Sequence, residues 1–388
     1  MLELADEQGV ALPSHTEAGL RETVFKARYR DLSEYLVGFA FTTAVLRDRE
    51  ALERVSYELG QDCLADGVTY LEVRFAPQLL VTDRLTVPDI FAAVTAGLDR
   101  TRREHEASAE VAAGHPPFRF GIIATAMRMF TAAYSPFYAD LFRVHGLAPP
   151  GEVHAAAALA LARDAVDARD RLGLPIVGFD LAGAEAGHPA SGYVAAYAFA
   201  HRHFLKRTVH AGEAYGAESI YQAITRLHAD RIGHGTHLFD VSQVDVPNPE
   251  RYVQSLSQYV ADRRILLEVC ITSNLQTLPG IRSVAEHPVG RMIRERLSVA
   301  FCTDNRLMSD TTVTQELGLA VDAFGLRPDE VRNAVLHGFK RSFFPGTYLE
   351  KRAYVRKVID ATAAVERSYG VSSPSPPSPG DRSAPGTT

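Results

Sequence analysis

Seven short, almost wholly apolar runs, spaced by helical patterns, constrain this chain most. They are VTYLEVRFAP (68–77), FRFGIIATAMR (118–128), IVGFDLAG (176–183), KRTVHAG (206–212), RIGHGT (231–236), ILLEVCITSN (265–274) and SVAFCTDN (298–305). Strands that are apolar throughout must be covered on both faces, and strands alternating with helices pair in parallel. In the intervening ESIYQAITRLHAD, Ile220, Ala223, Ile224 and Leu227 fall at i, i+3, i+4 and i+7, one helical stripe. The pattern predicts an α/β fold of the (β/α)8 TIM-type barrel class, with an open doubly wound sheet as the alternative. Seven strands are one short of the eight that close such a barrel. Residue 1 opens directly on a helical pattern, LELADEQ, stopped by Gly9 and Pro13, where a βα repeat begins with a strand. The expectation is a barrel whose first strand is missing from this chain and is encoded upstream of Met1.

The chain has 388 residues, enough for one large barrel. The barrel domain is expected over 1–366 and a Pro/Ser-rich tail over 367–388. VSSPSPPSPGDRSAPGTT cannot bury a core and is expected to be disordered. Residues 105–117 read as a loop insertion. The formal net charge is −6 with no long basic run, so a nucleic-acid partner is not expected. Cys63, Cys270 and Cys302 are odd in number and far apart, which argues against a disulfide framework and for a reducing, cytoplasmic setting. The acidic N-terminus lacks the apolar region of a signal peptide. No apolar run approaches 18 residues, so no membrane association is expected. Oligomeric state is not fixed by the sequence.

Polar residues collect at the strand ends: DLAG (180–183), HAGE (210–213), GHG (233–235), TSN (272–274) and TDN (303–305). The C-terminal ends of barrel strands are where such folds carry chemistry. His210 and Asp304 offer nitrogen and hard oxygen, a donor set suited to zinc. Glu213 lies one turn beyond His210, where an acid/base could reach a metal-activated water. His234 sits between glycines, which permit close backbone approach. Singly, each has a plainer reading: His210 as a hydrogen-bonded strand end, Asp304 as a helix cap, Glu213 as a solvated carboxylate. Together, on one face of one barrel, they point to a site. The HRH of 201–203 lies in a helical pattern from Ser191, where i and i+2 diverge. Strand alternation turns His237 away. His15, His105, His115, His145, His154, His188, His228, His287 and His337 read as surface residues. The stripe Leu32, Tyr35, Leu36, Phe39 reads as core packing, or alternatively as the cover of a ligand pocket.

These residues resemble the adenosine deaminase family of metal-dependent amidohydrolases. The resemblance runs from residue 1 to about 365, through LELADEQGVALP, DGVTYLEVRFAPQ, GFDLAGAE, TVHAGEAYGAESI, ADRIGHG, EVCITSNLQT, HPVGRMI and CTDNRLMS. It implies that His210 and Asp304 are zinc ligands, that Glu213 shuttles a proton and that His234 orients the zinc-activated water. It also implies that the Gly183 N–H holds a purine ring nitrogen and that Asn305 faces the five-membered ring. The implied reaction is deamination of adenosine or deoxyadenosine with Zn2+ and no redox or organic cofactor, on a small-molecule purine nucleoside. Asn305 stands where the family usually carries a second aspartate; an amide donates to a ring nitrogen without first being protonated. The family's H-x-H pair, two further zinc ligands on the first strand, does not occur in this chain. Two other functions stay open: an impaired relative that serves as a binding or structural protein, and a deaminase for adenine or another 6-amino purine nucleoside.

Overall fold

The computed structural model describes residues 1–371. It contains seven strands: β1 (Tyr70–Phe75), β2 (Arg119–Met127), β3 (Ile176–Ala182), β4 (Lys206–Ala211), β5 (Arg231–His234), β6 (Leu266–Val269) and β7 (Ser298–Phe301). Every neighbouring pair is parallel, and the order in the sheet is the order in the chain, β1 to β7. The sheet curls, with helices packed on its outer face, as the alternation of apolar runs and helical stripes predicts. β2 and β3 are buried along nearly their whole length, whereas every residue of β1, at one end of the sheet, is half-exposed. The long helix Pro150–Asp170 lays its alanine- and leucine-rich face on β2 and β3. The helix Pro328–Arg341 covers β7. Among the described residues no helix is long and apolar enough to cross a membrane.

The curled interior is charged, which the apolar look of the strands conceals. Residues at alternate positions of a strand share a face, and those facing inward include Glu72 and Arg74 (β1), Asp180 (β3), Thr208 and His210 (β4), Arg231 (β5) and Glu268 (β6). Arg231 pairs with Glu72 at 2.6 Å and with Glu268 at 2.6 Å. Arg74 pairs with Glu268 and, at 3.5 Å, with Asp180. Thr208 Oγ1 donates to Glu268 at 3.2 Å. The Arg231 guanidinium also stacks 3.6 Å from the Phe343 ring centroid. β1 is therefore tied across the interior to β3, β5 and β6, contacts that a flat doubly wound sheet would not allow. Each of these interior charges has an opposite partner, which offsets the cost of its desolvation.

Several local expectations change. β6 stops at Val269, and TSN lies in the helix Ile271–Thr277 rather than at a strand end. The 105–117 segment is not all loop: the helix Val87–Glu106 runs into it, followed by the short helix Ala109–Ala112. His154 and His287 are buried, not on the surface. His154 sits against the Phe130 ring, with Nε2 3.1 Å from the Phe130 carbonyl oxygen. The last helix, Tyr348–Ser368, extends through the first residues assigned to the tail. From residue 372 onward the expected tail lies outside the described residues.

Candidate active site

The parallel register sets the site. β4 pairs with β5 so that His210 lies beside Gly233 and Ala211 beside His234, which brings the two histidines together at one end of the sheet. A Cβ on Gly233 would come within 3.3 Å of the His210 Cα, a tight contact that a side chain there would press against His210. Asp304 follows β7. The candidate ligand atoms of His210, His234 and Asp304 all lie within 4.8 Å of one another. His234 and Asp304 both hold left-handed backbone, at φ 63° and 53°. That conformation is unfavourable for a residue with a side chain and concentrates at functional sites. The sequence-predicted residues His210, Glu213, His234 and Asp304 are thus brought together.

Each side chain is held by others. His210 Nδ1 lies 3.0 and 3.2 Å from the two Asp180 oxygens. A carboxylate only accepts, so Nδ1 carries the proton and Nε2 is left for the cluster. Burial would lower the His210 imidazole, but the Asp180 charge outweighs it and lifts the group to about 9. Burial likewise works against the Asp180 carboxylate, yet His210 and Arg74 hold it well below the usual range. Arg128, fully buried, donates to the His210 carbonyl oxygen and to that of His188, each at 2.6 Å. Asp304 accepts from Ser273 Oγ at 2.7 Å and from Asn305 Nδ2 at 2.9 Å.

Glu213 is buried, with Oε1 3.6 Å from His234 Nε2. Burial pushes its carboxyl up, against the pull of His234 and His210 and with the help of Asp304 and Glu185. Its loop is fixed by Glu185, whose carboxylate accepts from the N–H groups of Gly212 (2.8 Å), Glu213 (2.9 Å), Ala214 (2.7 Å) and Tyr215 (3.1 Å) and from Ser219 Oγ. Gly183 follows β3 at φ 95°, and a Cβ there would meet the Met127 side chain at 3.2 Å.

Tyr35, from the helix Leu32–Val37, is buried against Tyr29, Phe39 and Met308, as the core-packing reading expects. Its hydroxyl also accepts from Asn305 Nδ2 at 3.0 Å, so the same helix borders the site. Sequence reasoning missed the parts played by Asp180, Glu185, Ser273, Asn274 and His287. The segments GFDLAGAE, TSN and HPVG marked their neighbourhoods, but no local signal identified their partners. His201 and His203 join no metal-donor group among the described residues, and His237 turns to Asp240.

Two imidazoles and a carboxylate, one buried and two partly buried, beside a carboxyl that burial pushes up, offer a donor group for a divalent metal of the zinc type. Such donors at the C-terminal ends of curled parallel strands place the chain among hydrolases of the barrel class. The chain belongs to the adenosine deaminase family, whose family model matches residues 1–136 and 151–361. An adenosine deaminase of Mycobacterium marinum is 35% identical over 368 residues, covering 94% of this chain and 91% of the relative. Among solved structures, the adenine deaminase of Arthrobacter aurescens superposes with a TM-score of 0.71 at 21% identity, covering 93% of each chain. An amidohydrolase from Burkholderia ambifaria, with bound zinc, superposes with a TM-score of 0.69 at 20% identity, covering 95% of this chain and 88% of the other.

Proposed function

We propose that the chain deaminates adenosine and deoxyadenosine hydrolytically, releasing ammonia and the inosine product, with Zn2+ held by His210 and Asp304. When bound, the metal lowers the pKa of a coordinated water and so supplies a nucleophile near neutral pH. Glu213 protonates the purine at N1, which drains aromatic character and makes C6 electrophilic. Its buried position, which favours the neutral carboxyl, suits that donation. His234 orients the attacking water and Asp304 accepts from it. The proton taken from the water passes to the amino group, the C6 hydroxyl returns its proton to the Glu213 carboxylate as the carbonyl forms, and ammonia leaves. The Gly183 N–H holds a purine ring nitrogen, and Asn305 with Tyr35 borders the five-membered ring. Three unpaired cysteines support a cytoplasmic setting.

The observation that carries the reading is the convergence of His210, His234 and Asp304, from three separate strand ends, beside buried Glu213. The test is ammonia release and product identity with adenosine, deoxyadenosine and adenine, in the presence of zinc. Inosine formation from adenosine supports the reading. Product from adenine alone would move the substrate to the free base, and no product from any of the three would favour a non-catalytic relative.

A further inference from the structure

Behind His234 runs a line of hydrogen bonds whose direction is fixed at its far end. Val289 opens the helix Val289–Arg294, and its N–H has no partner within the helix. It donates to His287 Nδ1 at 3.1 Å. An N–H can only donate, so His287 Nδ1 is the bare nitrogen and His287 Nε2 carries the proton. That Nε2 lies 3.1 Å from Asn274 Oδ1, which also accepts from Thr236 Oγ1 at 3.2 Å. Two donors on one oxygen fix which way the amide points. Asn274 Nδ2 must then donate to His234 Nδ1, 3.1 Å away. Reversing the amide would require a His287 ring with no proton at all. Asn274 and His287 are both buried, so water does not substitute for either. Burial also pushes the His287 imidazole down to about 3, which keeps it neutral.

We propose that Asn274 and His287 are positioning residues that lock His234 as its Nε2–H tautomer, aiming a hydrogen-bond donor into the site and keeping that ring out of the metal's ligand set. His234 Nδ1 is filled by the amide, and His234 Nε2 faces Glu213 with a proton on it. Of the three clustered donors, His210 and Asp304 remain as ligands. The catalytic consequence rests on the deaminase reading, whereas the tautomer does not.

The test reads ring nitrogens directly, from two-bond 1H–15N correlations on uniformly 15N-labelled, metal-free protein. His234 is assigned by its loss in His234→Gln. The expected spectrum shows one His234 species, protonated on Nε2 and bare on Nδ1. Asn274→Asp places a carboxylate oxygen opposite Nδ1 and should move the proton there. His287→Phe frees the amide and should populate both tautomers. A His234 protonated on Nδ1 in the unsubstituted protein overturns the proposal, whether or not either variant folds. So does a folded Asn274→Asp that keeps the Nε2–H form. These outcomes hold even if no turnover is found. With turnover, Asn274→Asp should lower kcat by about 10²-fold or more, the scale of a lost acid/base contribution, with KM little changed.

Discussion

The two histidines at the centre of the site are chemically alike and wired in opposite ways. His210 leans on charge: Asp180, then Arg74, Glu268, Arg231 and Glu72, an ionic chain that fills the curled interior. His234 leans on neutral groups: Asn274, His287 and a helix N–H. An anion behind Nδ1 makes the other nitrogen more basic and better as a metal ligand. A neutral donor behind Nδ1 does the reverse and leaves the other nitrogen as a proton donor. On the proposed reading one residue type serves two roles, and the difference lies in what stands one bond further back.

Glu213 stands where the two arrangements meet, so its substitution should have the largest effect. Glu213→Gln keeps the shape and loses the transferable proton. Turnover of adenosine should fall by about 10²–10⁴-fold while metal content and nucleoside binding persist. Near-normal turnover would remove Glu213 from the chemistry.

Breaking the charged arrangement comes next. Asp180→Ala leaves Arg74 with only Glu268 and takes away the partner of His210. Unfolding in urea should show a loss of about 3–5 kcal/mol, as expected for a broken buried pair. Zinc affinity should fall by about 10–100-fold. The same variant should leave the His234 tautomer unchanged, because nothing in its own line of bonds is touched.

The neutral arrangement has its own signature in acid. His287 has an ordinary value of 6.5 and is held at about 3 in the folded chain by burial. Its folded value is depressed, so the unfolded chain binds the extra proton first. The stability it contributes is complete above pH 6.5 and is lost as pH falls toward 3. His154, also buried and lowered, adds in the same direction. His287→Phe should flatten the fall of unfolding free energy with acid below pH 6.5. Each tenfold difference in proton affinity between the folded and unfolded chain is worth about 1.4 kcal/mol there. An unchanged slope would mean that His287 is protonated in place.

The smallest effect is expected at Asn305. Its amide donates both to Asp304 and to Tyr35. Asn305→Asp loses those donations and should weaken nucleoside binding by about tenfold, the scale of one hydrogen bond. Metal content should hardly change. Loss of zinc with unchanged nucleoside affinity would exchange the roles of positions 304 and 305.

The sequence showed the seven strands and their parallel order, because apolar runs and helical stripes carry that information locally. It also marks His210, Glu213, His234 and Asp304 as candidates, because strand-end polar residues stand out against such runs, and the structure brings these four together. It hid the wiring. Glu72, Arg74, Arg231 and Glu268 look like stray charges in apolar strands until the curl brings β1 across to β5 and β6. His287 looks like a loop histidine, because its burial depends on packing beside Asn274, 13 positions earlier. Asp180 and Glu185 lie within GFDLAGAE, but their partners at 210 and 212–215 are set by register and loop geometry. The stripe that holds Tyr35 reads as core packing or as the cover of a ligand pocket, and periodicity cannot report a hydroxyl that reaches Asn305.

The most direct test of the opposite wiring is a zinc titration of 15N-labelled protein, following both rings in one spectrum. His210 Nε2 should change as zinc is added in excess, with Nδ1 still protonated toward Asp180. His234 should keep its Nε2 proton from start to finish. If His234 instead loses that proton to the metal, both histidines are ligands and the distinction between them is wrong.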